Sequence, residues 1–447
     1  MNSTKTTSTA AEHLARRIPS LIAAWRAASP ASRRPRLGGA ALSPSEVRDA
    51  AASLLRLQRG LTGARELAGS GYMEHQALLG AYLLYYWPVS YIEVSLILEE
   101  LRPLLPRHPW RILDLGCGPG PGAAALLDAG ADELDLVDSG AQALELAKAL
   151  LESRPAGPAD GPVRTTYHRQ DLAIDAQLPA GPYDVILLAH TLNELWKDES
   201  DRHARRLAVL ERLAGLLALD GLLVVVEPAL LATGRETLAL RDDLAAAGYE
   251  VAAPCPGSYP CPALAAGPSR TCHLDTAWAP PEPVASLAAA AGLDRQSVKC
   301  SWFALRSDAA RRRSAADFAA TDSPSNQAPT RTQSAPAAAS RRGRLAGARV
   351  VSEALLNKAG RLRIFLCADG QLTGLSAARG DRRAEELGFF SLRRGDVVTV
   401  EGAEPRPGGL GIGPDTALTL DRSAPRPEGT KTAARRRPDA GEDTRAR

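Results

Sequence analysis

The chain has 447 residues, of which 45% are hydrophobic, and a formal net charge of only +3. This length and apolar content predict two or three domains with large cores, and the small net charge excludes a polycation. No apolar run reaches the roughly 18 residues that a membrane-spanning helix needs, so we expect no membrane association.

Residues 1–36 contain Ser, Thr and Arg with a single acid, Glu12. This composition is typical of a disordered or mitochondrial targeting-like segment. The bias towards Ala and Arg continues along the chain, however, so we expect a bacterial-type cytoplasm, with the mitochondrial matrix as the alternative. Because we expect no secretory signal, the six cysteines do not indicate a disulfide framework.

The pattern is helical from His13 to Leu105, and residues 37–108 are predicted to form a helical N-terminal region. Ser43-Pro44-Ser45-Glu46 predicts a helix start, with a capping Ser, a Pro in the first turn and then a Glu. The stretch from Gly71 to Trp87 concentrates aromatic residues, which make up only 4% of the chain. We expect these aromatics to pack a helix against the next domain, with a substrate-facing surface as the alternative.

Residues 109–306 alternate short apolar runs with helical segments. Arg111–Leu115, Glu133–Asp138, Thr165–Asp171, Tyr183–His190 and Leu222–Glu227 are the predicted strands. Strands that alternate with helices predict an α/β fold with a parallel, doubly wound sheet. Two further runs, Tyr249–Ala252 and Trp302–Arg306, are predicted to form a final antiparallel pair.

Residues 307–344 are rich in Ala, Ser, Pro and Arg without periodicity, which predicts a disordered linker. Residues 345–421 contain strand-like runs and turn signals, which predict a small β-rich domain, and residues 422–447 are predicted to form a basic disordered tail. Arginine clusters at residues 311–313, 341–344 and 435–437 are interpreted either as solvated segments or as RNA contacts.

A glycine-rich segment, Asp114-Leu-Gly116-Cys-Gly118-Pro-Gly120, follows the first predicted strand and opens a helix. Glycines there let the backbone approach a ligand closely. The acidic form of the pattern favours S-adenosylmethionine (SAM) over a dinucleotide, whose fingerprint is similar. Asp138 ends the second strand, where a carboxylate can accept both ribose hydroxyls, and Asp171 follows the third, where it can contact the adenine amine. A degenerate site that no longer binds cofactor is the alternative.

The fourth predicted strand ends in His190-Thr-Leu-Asn193-Glu194-Leu195, at the position that faces the target atom in class I methyltransferases. The Asn-Pro-Pro-aromatic loop of many amino-methylating enzymes is missing, and no cysteine stands at the fourth or fifth strand end to act as a nucleophile. Asn193 and Glu194 are interpreted as capping the next helix, with substrate orientation as the alternative. The sequence assigns no catalytic residue.

Four of the cysteines, Cys255, Cys261, Cys272 and Cys300, lie within 46 residues of one another and begin in a proline-rich loop. Four converging thiolates can bind Zn²⁺ or a [4Fe–4S] cluster. Their wide, uneven spacing lacks zinc knuckles and favours the cluster, with zinc as the alternative. Cys117 and Cys367 are interpreted as small packed residues.

Taken together, the Asp-Leu-Gly-x-Gly-Pro-Gly segment, the His190–Leu195 strand end, Val226-Glu227-Pro228 and the Cys-Pro-x4-Cys-Pro loop resemble the methyltransferase-like protein seventeen family. That family comprises bacterial proteins and mitochondrial factors for assembly of the small ribosomal subunit, and the resemblance spans most of the chain. It implies a class I SAM-dependent methyltransferase core, a helical N-terminal region and a small β-rich C-terminal domain. It also implies a [4Fe–4S] cluster on the four cysteines and binding to small-subunit rRNA.

We therefore predict a SAM-binding, iron–sulfur methyltransferase-like protein that acts on the small ribosomal subunit, through rRNA methylation, subunit assembly or both. The first alternative is a non-enzymatic assembly factor that retains SAM binding. The second is a small-molecule SAM methyltransferase, which leaves the metal loop and the basic clusters without a role. We expect a monomer when the protein is off the ribosome.

Overall fold

The computed structural model describes residues 3–28, 41–63, 65–68, 71–153, 163–174, 177–255, 260–306, 344–357 and 360–421. The predicted linker and the basic clusters, apart from Arg344, lie outside these residues, and so does the predicted tail.

Helices dominate the N-terminal region. They are α1 (Ser3–Ala28), α2 (Pro44–Thr62), α3 (Gln76–Ala81) and α4 (Trp87–Leu101), with one π-helical turn (Tyr82–Tyr86) joining α3 to α4 and short 3₁₀ turns at Tyr72–Glu74 and Arg102–Leu104. The predicted start of α2 is confirmed: the Ser43 hydroxyl accepts from the Glu46 amide at 3.3 Å, and the Glu46 carboxylate accepts from the Ser43 amide at 2.7 Å. This reciprocal capping box satisfies two amides that helix geometry leaves without partners.

Helix α1 overturns the expectation of disorder for residues 1–36, whereas the helical pattern expected from His13 onward agrees with it. Leu14, Leu21 and Ile22 are at most 2% exposed and belong to the main hydrophobic core. The apolar side chains of α1 recur at helical spacing and cover α4, so burial of this face offsets the entropy of ordering the helix.

Arg17 of α1 forms an ion pair with the α/β domain that follows. Its guanidinium donates to both carboxylate oxygens of Asp128, at 3.0 and 2.7 Å, and the Tyr91 hydroxyl donates to the same carboxylate at 2.7 Å.

We expect Arg17→Ala to lower the free energy of unfolding by about 3 kcal/mol, because it leaves the largely buried carboxylate of Asp128 without its cation. Chemical denaturation measures this loss. Arg102→Ala, which removes a 61% exposed arginine paired with Glu99, is the control and should change stability by less than about 0.5 kcal/mol. Equal losses in both variants would contradict the buried anchor.

The continuous helical segment Gln76–Leu104 is long and apolar enough to cross a membrane by length and composition alone. Its apolar window is 83% buried inside the fold, however, as in the core helix of a globular domain. Among the described residues it is the one segment that meets those length and composition criteria.

An eight-stranded sheet forms the centre of the molecule. Its strands are β1 (Arg111–Leu115), β2 (Glu133–Asp138), β3 (Arg164–Arg169), β4 (Tyr183–Ala189), β5 (Leu217–Pro228), β6 (Glu250–Ala253), β7 (Leu274–Ala277) and β8 (Ser297–Arg306). The strand order is β3-β2-β1-β4-β5-β8-β6, with β7 on the free part of β8. Strands β1 to β5 run parallel, whereas β8 is antiparallel to β5, β6 and β7. The predicted parallel sheet and its final antiparallel pair are confirmed.

Helices cover both faces of this sheet. They are α5 (Pro121–Asp128), α6 (Ala141–Glu152), α7 (Arg202–Ala214), α8 (Leu231–Ala246), α9 (Pro262–Ala265) and α10 (Val284–Ala291). One face packs with the N-terminal helices in the main core, and the other packs with α7 and α8 in a second core. Alternate residues of β8 divide between them: Cys300 and Trp302 belong to the main core and Phe303 to the second.

The C-terminal region is a second eight-stranded sheet with its own apolar core. Its strands are β9 (Leu345–Val350), β10 (Leu355–Leu356), β11 (Arg361–Ala368), β12 (Gln371–Ala378), β13 (Val397–Glu401), β14 (Glu404–Arg406), β15 (Gly409–Gly411) and β16 (Ala417–Asp421), and one helix, α11, spans Arg382–Glu386. Arg349 of β9 forms an ion pair with Glu100 of α4 that is largely shielded from solvent. This contact fixes the C-terminal sheet against the first domain.

Candidate functional site

A cavity of about 740 Å³ opens where the parallel strands β1, β2 and β4 end. In doubly wound folds ligands bind at this edge, because the loops after the strands leave a crevice there. Gly116, Gly118, Asp138 and Asp171 line the cavity, so the structure brings these four predicted cofactor residues together.

The turn after β1 has a conformation that requires glycine. Gly116 has a φ of +68°, and a Cβ there would lie 2.4 Å from the side chain of Thr191. The backbone can therefore pass close beneath the cavity only without a side chain. A Cβ on Gly118 would lie 3.5 Å from Cε of Met73, which belongs to the 3₁₀ turn Tyr72–Glu74 and also lines the cavity.

Asp138 is held in place by the glycine turn. Its two carboxylate oxygens accept from the amides of Gly118, at 2.7 Å, and Gly140, at 2.8 Å. Burial raises the pKa of Asp138, and these amides act against that rise. Each carboxylate oxygen keeps a further lone pair, so Asp138 can still accept the two hydroxyls of a ribose.

Two predicted cofactor residues do not line the cavity. Asp114 is 1% exposed, and its Oδ2 is buried without a hydrogen-bond partner beside Gly122. Burial, reinforced by the charge of Asp138, raises its pKa to about 7. Gly120 instead caps α5 with a φ of +77°, and a Cβ there would lie 3.3 Å from Ala147 of α6. These two residues shape the turn and pack the helices, and we expect neither to contact a ligand.

The end of β4 carries a charged cluster that the sequence did not reveal. His190 has a φ of +61°, which is rare for a residue other than glycine, and its Nε2 lies 2.8 Å from Oε2 of Glu93. Glu93 comes from α4, is 2% exposed and lines the same cavity. Burial lowers the pKa of His190, but the hydrogen bond to Glu93 and the charges of Glu93, Glu227 and Glu194 outweigh it and raise the pKa overall.

Glu227, at the end of β5, holds the turn beneath His190. Its carboxylate accepts from the amides of Leu192, at 2.8 Å, and Asn193, at 3.2 Å, and burial raises its pKa to about 7. The interpretation of Asn193 as a helix cap is wrong, because the next helix begins at Arg202. The Asn193 side chain donates to the carbonyl of His190 instead. The turn is therefore built to present His190 to the cavity.

A second cavity, of about 340 Å³, lies between the first domain and the C-terminal sheet. Cys255, Cys261 and Cys272 line it, and the fourth thiol on its wall belongs to Cys367 of β11. Cys367 and Cys255 share a hydrogen bond that lowers the pKa of Cys255 and raises that of Cys367, while burial raises the pKa of Cys272 to about 12.

The prediction for Cys300 does not agree with the structure. Cys300 is fully buried on β8 between Pro228 of β5 and Leu274 of β7, and it does not line the thiol cavity. The interpretation of Cys367 as a small packed residue is also wrong, because Cys367 is only partly buried and lines the cavity. The sequence missed Cys367 because 94 residues separate it from Cys272, so only the docking of the second sheet brings the two together.

The thiol cavity also has polar atoms that lack partners. Among the described residues, its wall carries four buried side-chain atoms without a hydrogen bond: Nε of Arg349, Nε of Arg394, Oγ1 of Thr271 and Nδ1 of His273. Burial lowers the pKa of His273 to about 4, so this ring is neutral near pH 7. Buried donors without acceptors are costly, and sulfur atoms of a bound cluster are acceptors for such groups.

The described thiols do not converge on one point. Within the described part of the chain, no three His, Cys, Asp or Glu side chains are close enough together to hold one metal ion. The corners of a cuboidal cluster lie farther apart than the ligands of a single ion.

The strand order, with antiparallel β8 inserted between β5 and β6, and the cavity at the carboxyl ends of the parallel strands define the fold of class I methyltransferases. A family model described as mitochondrial small ribosomal subunit Rsm22 matches residues 77–372. Because this match covers well over half of the chain, the protein belongs to the Rsm22 family. The resemblance drawn from the sequence is thereby confirmed.

Several solved methyltransferase structures are partly similar. They include the CcbJ methyltransferase from Streptomyces caelestis (21% identity, 30% of this chain and 48% of that one, TM-score 0.25) and a SAM-dependent methyltransferase from Clostridium acetobutylicum (17%, 30% and 49%, TM-score 0.24). Magnesium protoporphyrin IX methyltransferase from Synechocystis is another, with 15% identity over 57% of this chain and 97% of that one and a TM-score of 0.31. The chain thus spans about half the length of the first two. None of the curated proteins compared with the chain matches it in sequence.

Proposed function

We propose that the protein binds SAM in the 740 Å³ cavity and transfers its methyl group to an RNA of the small ribosomal subunit. The observation that carries this proposal is the position of Asp138, whose carboxylate is oriented by the glycine turn at the edge where class I methyltransferases bind their cofactor. Asp171, on the same cavity wall, would contact the adenine amine, and the turn at Gly116 would allow the methionine part to approach the backbone. SAM would supply a methyl group on a sulfonium, which leaves the chain the tasks of positioning the acceptor and taking up its proton.

The family description supports the small ribosomal subunit as the partner. We expect contact with its rRNA, in agreement with the basic clusters of the sequence. The same description favours the mitochondrial matrix as the compartment of this protein. The amino-acid composition had favoured a bacterial-type cytoplasm. Helix α1 carries core residues such as Leu14 and Leu21, so removing it as a targeting segment would expose apolar surface.

We further propose a [4Fe–4S] cluster in the thiol cavity, on Cys255, Cys261, Cys272 and Cys367. Support comes from the four thiols that line the cavity and from three buried atoms without a hydrogen bond, which are Nε of Arg349, Nε of Arg394 and Oγ1 of Thr271. Anaerobic purification should give a brown protein with thiolate-to-iron absorption in the visible range. A colourless protein with stoichiometric zinc would rule out the cluster.

Methylation is tested by mapping methylated positions of small-subunit rRNA in cells that lack the protein. At least one position should lose its methyl group and regain it with the wild-type chain but not with Asp138→Asn. An unchanged map, combined with a defect in small-subunit assembly that Asp138→Asn rescues and Cys261→Ser does not, would instead establish the non-enzymatic assembly factor.

A further inference from the structure

The cavity that holds the proposed cofactor site extends well beyond it. Past the glycine turn, its wall is formed by the π-helical turn before α4 and by the end of β4, with Tyr82, Tyr86, Glu93 and His190 as lining residues. Single π-helical turns inside α-helices occur frequently at functional sites, because they displace side chains from the regular helical positions. We call this region the acceptor half of the cavity.

Aromatic rings shape the acceptor half. Tyr82 and Tyr86 are partly exposed on the cavity wall and stack on each other, with ring centroids 6.0 Å apart and an interplanar angle of 27°. Arg295 holds the ring of Tyr85 behind them, with its guanidinium 4.9 Å above the ring centroid and its Nε donating to the Tyr85 hydroxyl at 3.0 Å. Burial raises the pKa of Tyr86 to about 12, so its ring stays neutral. Neutral, supported tyrosines offer a platform for a planar aromatic ligand.

The charged pair of His190 and Glu93 stands on the same wall. Glu93 is almost completely buried, whereas the His190 side chain is 24% exposed, so the imidazole is the member of the pair that an occupant can reach. Because Nε2 bonds to Glu93, the nitrogen left for an occupant is Nδ1, for which the described residues provide no hydrogen bond. A buried carboxylate behind an imidazole stabilises the imidazolium that forms when the ring takes up a proton.

We propose that the acceptor half binds a nucleobase stacked on Tyr82 and Tyr86, and that His190, held by Glu93, accepts the proton from the base nitrogen that becomes methylated. The catalytic part of this inference rests on the proposed methyl transfer, whereas the stacking part does not. In the transfer step, the nitrogen forms a bond to the methyl carbon as the carbon–sulfur bond of the sulfonium breaks. The sulfur keeps the electron pair, and the proton of the nitrogen moves to Nδ1 of His190.

Other acceptor chemistries fit the acceptor half less well. Methylation at a pyrimidine carbon uses a cysteine nucleophile, and among the described residues no cysteine lines this cavity. Methylation of a ribose hydroxyl is helped by an unpaired basic group. The lysine on the cavity wall, Lys299, is instead paired with Asp275 at 2.9 Å. Of the three kinds of acceptor, a base nitrogen that gives its proton to a histidine therefore fits this part of the cavity best.

The catalytic part is tested with the full-length protein, radiolabelled SAM and small-subunit rRNA from cells that lack the protein. His190→Asn and Glu93→Gln should lower the rate by about 100-fold or more, with unchanged affinity for SAM. His203→Asn is the matched control, because His203 forms the same kind of pair with Asp243, at 2.7 Å, away from the cavity. A His190→Asn variant as active as the His203→Asn variant would overturn the proton transfer.

The pH dependence gives a second readout, which a merely structural role for His190 would not change. Only the neutral imidazole accepts a proton, so the wild-type rate should fall as the pH drops through the pKa of His190. Glu93→Gln removes the carboxylate that raises this pKa, while Glu194 and Glu227 remain. The inflection of the profile should therefore move to lower pH. A profile that does not move would contradict the role of Glu93.

The stacking part is tested by the affinity for single-stranded RNA of mixed sequence in the presence of S-adenosylhomocysteine. Tyr82→Leu and Tyr86→Leu should each weaken binding about tenfold, whereas Tyr82→Phe, which keeps the ring, should bind as the wild type does. If the wild type transfers no methyl group, the proposed function fails, and weaker binding by the leucine variants would still support the platform. Equal RNA affinity for Tyr82→Leu and Tyr82→Phe would overturn it.

Discussion

Cys367→Ala is expected to abolish cluster loading, whereas Cys300→Ala should leave it intact. Cys367 lines the thiol cavity and shares a hydrogen bond with Cys255, but Cys300 lies in the core of the central sheet. Losing one of four thiolate ligands removes most of the free energy of metal binding, which is also free energy of folding for the elements that the cluster joins. The iron content of anaerobically purified protein and its visible absorption measure the result.

The two alanine variants form a matched pair, because each removes one thiol from a strand. Cys300→Ala creates a small cavity in the main core and should lower the free energy of unfolding by about 1 kcal/mol without loss of iron. Cys255→Ala should behave as Cys367→Ala does. If the Cys300 variant loses its iron while the Cys367 variant keeps it, the original sequence-based ligand set is right, and the docking of the C-terminal sheet does not complete the site.

Asp138→Asn is expected to weaken SAM binding by about 100-fold. The carboxylate accepts from the amides of Gly118 and Gly140 and would also accept the ribose hydroxyls, with each charged hydrogen bond contributing about 1.5 kcal/mol. An asparagine has one oxygen only, so its amide group would face a backbone donor. Isothermal titration calorimetry with SAM measures the change in affinity.

Asp135→Asn is the control for this substitution. Asp135 lies on the same strand as Asp138 but does not line the cavity, and its carboxylate pairs with Arg111 and His168 and accepts from the Tyr183 hydroxyl. The control should lower stability and leave the affinity for SAM unchanged. Unaltered SAM binding by Asp138→Asn would contradict a ribose contact at this residue.

Where the sequence was informative, its signal was local. The capping box at Ser43, the strand from Arg111 to Leu115 and the glycine turn after it depend on residues a few positions apart, and the structure contains all three. The helical pattern from His13 onward, with Leu14, Ile18, Leu21, Ile22 and Trp25 at helical spacing, agrees with α1. The composition of residues 1–36 pointed instead to a disordered or targeting-like segment, because composition contains no information about spacing.

The sequence by itself determined the class of fold and the family. It also determined that Asp138 ends β2 and that Asp171 follows β3. These features depend on strand periodicity and on the steric demands of glycine, which act over short distances along the chain. Only the tertiary structure decided which thiol completes the second cavity and which carboxylate faces His190. Cys367 reaches the other thiols through the docking of one sheet on another domain, and Glu93 is 97 residues from His190 in the chain. Such pairings arise from the packing of whole elements, and local sequence patterns carry no information about them.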